Sequence, residues 1–144
     1  MRFMVFMYPG AKAEVAGAMP DEKTIAAMMK FNEDLTKAGV LLALDGLQPS
    51  SKGARISFAG GKPTVTDGPF AESKELIGGY WMLQVRSKAE AIEWCSRCPA
   101  GPDERLELRQ VFEMSDFGID PKSDLGAQVE RVGEQVGSKS APSG

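Results

Sequence analysis

Arg2-Phe3-Met4-Val5-Phe6-Met7-Tyr8 opens the chain with Phe3, Val5 and Met7 alternating with Met4, Phe6 and Tyr8, so that both faces of an extended strand are apolar. A strand buried on both faces belongs in the middle of a sheet. Pro9-Gly10 ends the run. It is shorter than the roughly 7 to 15 apolar residues of a signal h-region and far below the roughly 20 that span a bilayer. A cytoplasmic protein without membrane contact is expected.

Beyond a small-residue loop the period changes. Ile25, Met28, Met29, Asn32 and Leu35 recur at helical spacing, and Pro20, Asp21 and Glu22 suit the start of a helix that Gly39 stops. The expected helix has about five turns, and Met28, Met29 and Phe31 are read as its packing residues. Val40 to Leu44 reads as a strand ending at Asp45-Gly46, followed by the loop Gln48-Pro49-Ser50-Ser51. Arg55 to Ala59 and Pro63 to Thr66 alternate around Gly60-Gly61, the chemistry of a tight hairpin with positive φ, inserted on the sheet edge. Tyr80 to Arg86 is a further strand, before which Gly78-Gly79 permits a bulge or a close backbone approach. Ser87-Lys88-Ala89-Glu90 fits a capping box opening a helix that Pro99 ends, and Leu106 to Met114 is the last strand. The order β, α, β, hairpin, β, α, β predicts a ferredoxin-like α+β sandwich of split βαβ type, an antiparallel sheet with both helices on one face. No long helical segment remains before Met114 to cover the other face, which is therefore expected to meet a second copy in a two-fold dimer.

At 144 residues the chain is expected to hold one domain over 1–114 and an extension over 115–144. In the extension Leu125, Val129, Val132 and Val136 recur at helical spacing, which predicts a short helix over 124–136 weakened by the flanking Gly126, Gly133 and Gly137. The remainder, Ser138 to Gly144 included, is expected to be flexible. Seventeen Lys and Arg against twenty Asp and Glu leave a net charge of −3, which argues against direct nucleic-acid binding. The chain has no histidine, so His-dependent triads, zincin-type sites and facial triads are excluded. Cys95 and Cys98 precede Pro99 near a helix C-terminus, where the dipole disfavours a thiolate, and two further soft ligands are lacking. They read as packing residues, with neither a metal nor a cofactor expected.

Asp67-Gly68-Pro69-Phe70-Ala71-Glu72-Ser73-Lys74-Glu75, followed by Gly78-Gly79-Tyr80, resembles the signature block of the DGPF branch of the YCII-related family. Asp45-Gly46-Leu47-Gln48-Pro49 and the opening strand are similar to that family too, so the resemblance covers roughly the first 114 residues. It implies a dimeric α+β barrel. It also implies acid–base catalysis of the kind suspected for YCII-type domains, through a His and Asp pair whose His has no counterpart here, and an association with extracytoplasmic-function sigma factors.

Physically the block is a stiff turn: Gly68 accepts a φ that a side chain resists, Pro69 fixes its own φ, and Phe70 is an apolar anchor. Asp67 either satisfies loop amides or, with Glu72 and Lys74, borders a cleft where Lys74 holds a carboxylate or phenolate and an acid moves a proton. Asp45 either starts a turn or acts as a general base. Tyr8 and Tyr80, on strands expected to be neighbours, either pack or orient a ligand through their hydroxyls. Arg55 and Arg86 are strand-boundary cations that either face solvent or meet an anion. The candidate catalytic residues are therefore Asp67, Glu72 and Asp45, and the candidate ligand-binding residues are Lys74, Tyr80, Tyr8 and Phe70. The reading they support is a small organic anion bound near the turn, with lyase or isomerase chemistry. The alternative is a non-catalytic accessory or regulatory dimer associated with a sigma factor.

Overall fold

The computed structural model describes residues 1–15, 17, 19–71 and 75–140. They form two compact units, Met1–Val111 and Phe112–Gly144. In the first, β1 (Arg2–Tyr8), α1 (Glu22–Lys37), β2 (Leu41–Gly46), β3 (Ala54–Ser57), β4 (Thr64–Asp67), β5 (Gly79–Gln84), α2 (Lys88–Ser96) and β6 (Arg105–Gln110) follow one another. The main sheet has the order β2-β5-β1-β6, every neighbouring pair being antiparallel. Each helix therefore links two strands that flank a third, which is the split βαβ arrangement of a ferredoxin-like α+β fold. As its two apolar faces require, β1 is an inner strand. Phe3, Val5 and Met7 are buried in one cluster with Trp81, Leu83 and Val85, with Phe31 and Leu35 of α1, and with Ala91 of α2. Leu35 and Leu83 are each 1% exposed, so truncating either to Ala removes on the order of 2 to 5 kcal/mol.

The ends of α1 follow from its sequence. The Asp21 carboxylate caps the helix by accepting the Thr24 N–H at 2.7 Å, and the Thr24 side chain, followed by that backbone bond, holds its pKa below the ordinary value. At the other end Gly39 has φ +72°, its N–H bonds the Thr36 carbonyl at 3.0 Å, and the Val40 N–H bonds the Leu35 carbonyl at 3.2 Å, a Schellman closure. The packed stripe is not centred where the spacing predicts. Asn32 and Leu35 are buried, Phe31 is buried as its reading as a packing residue requires, and Met28 is partly buried against the core, but Ile25 and Met29 are exposed. The Trp81 indole accounts for this rotation. The Phe31 ring meets it edge-on, with centroids 5.8 Å apart at 80°, and Asn32 Oδ1 accepts its Nε1–H at 2.8 Å.

Other boundaries differ in detail from expectation. The Ser87 hydroxyl accepts the Glu90 N–H at 3.1 Å, but the Glu90 carboxylate accepts from the Arg86 N–H at 2.8 Å, so the capping box closes one residue early. Gly78 and Gly79 serve close approach, because a Cβ on them would lie 2.7 Å from Pro9 Cγ and 3.0 Å from the Asp45 carbonyl oxygen. The register break lies in β2, between Leu41 and Ala43. The last strand ends at Gln110, not Met114, and Phe112 is exposed. The inserted hairpin exists as a separate two-stranded sheet, paired from Ala54↔Asp67 to Ser57↔Thr64. Gly60 and Gly61 have the expected positive φ, +80° and +82°, but pairing stops short of them and the loop spans residues 58–63.

In the second unit the Phe112 and Phe117 rings lie 4.8 Å apart, and α3 (Asp124–Ser140) continues past the expected end at 136. Leu125, Val132 and Val136 are each more than half exposed. The end of the expected flexible segment, residues 141–144, lies outside the described residues. Among those described, no helix is long and apolar enough to cross a membrane.

Asn32→Ala leaves the indole N–H without its acceptor inside the core. Urea unfolding is expected to show a loss of about 1 to 3 kcal/mol.

Candidate functional site

Strand alternation sends Trp81 into the core and Tyr80 to the opposite face, on which neither α1 nor α2 packs. Tyr80 stands opposite Asp45 of β2 on one side and Phe6 of β1 on the other. Its hydroxyl donates to Asp45 Oδ2 at 2.9 Å. That hydrogen bond raises the Tyr80 pKa, so the pair is a neutral phenol on a carboxylate that keeps further acceptor capacity. Tyr8 lies two residues beyond Phe6 on the same face, opposite Arg105, whose guanidinium carbon is 4.4 Å from the Tyr8 ring centroid. Three of the singled-out residues, Asp45, Tyr80 and Tyr8, thus share one face at one end of the sheet.

The Asp67–Phe70 turn is built around a different group. Asp67 ends β4 opposite Ala54, with its side chain exposed. Gly68 is needed for space and not for φ, which is not positive: a Cβ would fall 1.7 Å from the Ser50 carbonyl oxygen. The Gly68 N–H bonds the Gly53 carbonyl at 2.9 Å, and the Gly68-Pro69 peptide is cis. The Phe70 N–H donates to Ser50 Oγ at 3.0 Å, and the Arg55 guanidinium covers the Phe70 ring at 4.1 Å. Ser50 in turn donates its N–H and its hydroxyl to the Glu14 carboxylate. Glu14 and Ser50 therefore seat the turn, and neither is evident in the sequence. Ser50 reads there as one loop serine among several, and nothing local marks Glu14. Glu72 and Lys74 lie outside the described residues. Arg86 is exposed.

Two adjoining clefts, of about 330 and 470 Å³, lie between α2 and β6 and share Ile92, Leu106 and Leu108. Cys95 and Cys98 line the first, and burial pushes both thiols up to about 11, as packing residues and not as nucleophiles. Among the described residues no group of three or more His, Cys, Asp or Glu side chains could hold a metal ion.

Two outcomes follow. Gly68→Ala drives its Cβ into the Ser50 carbonyl, and chemical denaturation is expected to show a loss on the order of 2 kcal/mol or more. The thiols of the unfolded chain ionise near 9 and those of the folded chain at about 11. The folded state holds more protons in that window, so stability falls as pH rises through it. Urea midpoints at about pH 8 and about pH 10.5 are expected to show a smaller fall in the Cys95→Ser, Cys98→Ser variant than in the wild-type chain.

The profile of a family described as YCII-related domain matches residues 1–115, which take in the main sheet, both of its helices and the hairpin. An uncharacterised protein of Rhizobium meliloti (strain 1021) is 30% identical over 74 residues, 51% of this chain and 60% of that protein's length. The chain therefore spans less than two thirds of that relative. With a matched stretch that runs through all six strands, the chain belongs to the YCII-related domain family.

Proposed function

We propose that two copies of the chain pack the sheet faces left uncovered by α1 and α2, and that a small organic anion binds on that face near the Asp67–Phe70 turn. The observation that carries this reading is the Tyr80–Asp45 hydrogen bond, which sets a phenol and a carboxylate side by side on that face. Phe6 supports it as an apolar neighbour and Arg105 as a cation beside Tyr8. In this reading Arg105 attracts the anionic group, and Tyr8, Phe70 and Tyr80 contact the rest of the ligand. Asp45 takes a proton from a carbon next to the ligand's acid group and either returns it to another carbon of the same ligand, an isomerase step, or passes it to a hydroxyl that leaves as water from the neighbouring carbon while the C=C bond forms, a lyase step. Asp67, Glu72 and Lys74 supply further polar groups from the turn.

The second reading is a non-catalytic accessory dimer, regulatory in the context of a sigma factor, and the exposed Leu125, Val132 and Val136 of α3 favour it as a contact stripe. Light scattering is expected to give twice the 15.5 kDa chain mass. A thermal-shift screen with benzoate, salicylate, succinate and their relatives is expected to stabilise the wild-type chain and to act much less on Arg105→Gln, which lacks the cation that attracts the anionic group. A monomeric mass sinks the pairing, and silence across all carboxylates favours the accessory role.

A further inference from the structure

The two edges of the main sheet differ. At one end β2 is interrupted by the register shift between Leu41 and Ala43, an irregularity of the kind that spoils further pairing. At the other end β6 has no such defence. Its six pairs with β1, from Phe3↔Gln110 to Tyr8↔Arg105, run without a shift, Arg105–Gln110 contains no proline, and among the described residues no strand pairs with its outer side.

Alternation fixes which backbone groups lie on that outer side. The Val111 N–H bonds the Arg2 carbonyl at 2.9 Å, so in this antiparallel ladder Arg109, Glu107 and Arg105 also turn their N–H and C=O toward β1. Leu106, Leu108 and Gln110 turn theirs away. The 470 Å³ cleft beside α2 follows this edge: every residue from Leu106 to Gln110 lines it, with Lys88 and Ile92 of α2 as its wall. A groove along an unpaired strand edge has the shape and the hydrogen-bonding groups to take one more strand.

The charges of β6 specify that strand. Arg105, Glu107 and Arg109 alternate in sign along one face of it. An antiparallel two-fold pairing of β6 with itself, centred on Leu108, sets Leu108 opposite Leu108 and Leu106 opposite Gln110, and so uses all three outward residues of both copies in about six main-chain hydrogen bonds. It also sets Glu107 of each copy opposite Arg109 of the other, at the closer, non-hydrogen-bonded positions where opposite charges attract. Neighbouring registers are worse. A centre on Glu107 or on Arg109 places like charges directly opposite each other, and a centre on Leu106 sends Gln110 past the start of β6 to Pro102, which has no N–H to give. Within one chain Glu107 and Arg109 are 3.9 Å apart, an exposed pair that self-pairing supplements with a second opposite charge for each.

We propose that β6 of one copy pairs with β6 of a second, antiparallel and centred on Leu108, so that the sheet continues through both chains, with Leu108 and the half-exposed Ile92 of the two copies meeting on the helix side. The contact lies in the plane of the sheet, whereas the proposed pairing of faces lies across it, so neither needs the other. A contact one strand wide is weak, so it forms at high protein concentration and covalent trapping is the readout that catches it.

In a Cys95→Ser, Cys98→Ser background, chains carrying Glu107→Cys and chains carrying Arg109→Cys are mixed and oxidised with glutathione disulfide, which takes up the two electrons and two protons as two glutathione thiols. The opposed positions lie about 4.5 Å apart between Cα atoms, within reach of a disulfide. Only the mixture sets two thiols opposite each other, and it is expected to give at least fivefold more linked dimer than either chain alone. Equal yields, or linkage of Glu107→Cys to itself in excess of the mixture, overturn the proposal. Adding Met82→Asp, on the uncovered sheet face, separates the two contacts: a link that survives it belongs to the edge, and a link lost with it belongs to the pairing of faces and removes the edge contact. Sedimentation equilibrium at high concentration tests the native thiols. Glu107→Arg is expected to weaken the edge association by about fivefold or more, and Glu107→Arg with Arg109→Glu to restore it, with far-ultraviolet circular dichroism unchanged throughout. A double variant as weak as the single one, or no association that either changes, overturns the pairing.

Discussion

The indole of Trp81 is the contact on which the rest of the arrangement turns. Its N–H is held by Asn32 and its ring by Phe31, two neighbouring residues of α1, so a single side chain of an inner strand fixes both the rotation of the helix and the side of β5 that faces it. A buried hydrogen bond is worth little in net stability, but leaving either partner unmatched is costly, and that asymmetry makes it a strong selector of register. A slip of one residue would bring Tyr80 inward and expose the indole. Because Trp81 is inside, Tyr80 is outside, and because β5 lies beside β2, the phenol meets Asp45. The polar pair on one face is thus a geometric consequence of the polar pair in the core.

Much of this architecture is legible in the sequence because it rests on short-range rules. The alternation of Phe3 to Tyr8 places β1 inside the sheet, Asp21 and Gly39 bound the first helix by local hydrogen bonds, and Gly60-Gly61 supplies two residues with positive φ. The readings that needed adjustment involve partners distant in sequence. Helical spacing alone favours a stripe through Ile25 and Met29, and only the location of Trp81 on another strand explains why the packed side turns toward Phe31 and leaves them exposed. The same holds for Gly68, whose glycine is demanded by the Ser50 carbonyl and not by its own φ.

The polar face was legible as residues and not as a pair. Tyr80, Tyr8 and Asp45 stand out as strand-end groups, whereas the bond between Tyr80 and Asp45 depends on the pairing register of β2, which contains an irregularity at Leu41 and Ala43. Glu14 and Ser50 carry no signal at all, since a carboxylate that reaches across 36 residues to a loop amide and hydroxyl obeys no periodicity. The cysteines were easier: their position in the last turns of a helix argues for inert thiols, and burial pushes both in that direction.

Gly46 and Gly79 are register partners, so β2 and β5 meet at the point where the chain departs on the excursion that contains the hairpin. The entropy of closing a loop grows only with the logarithm of its length, and an excursion of about thirty residues costs roughly 2 kcal/mol more than a short turn. Length by itself is therefore a weak constraint, while the base of the excursion is tied down by the Gly68–Gly53, Phe70–Ser50 and Ser50–Glu14 bonds. The hairpin tip is the part open to grafting: the loop over residues 58–63 can lengthen, or carry a foreign peptide, with the four-stranded scaffold folding much as before and only the presented surface altered.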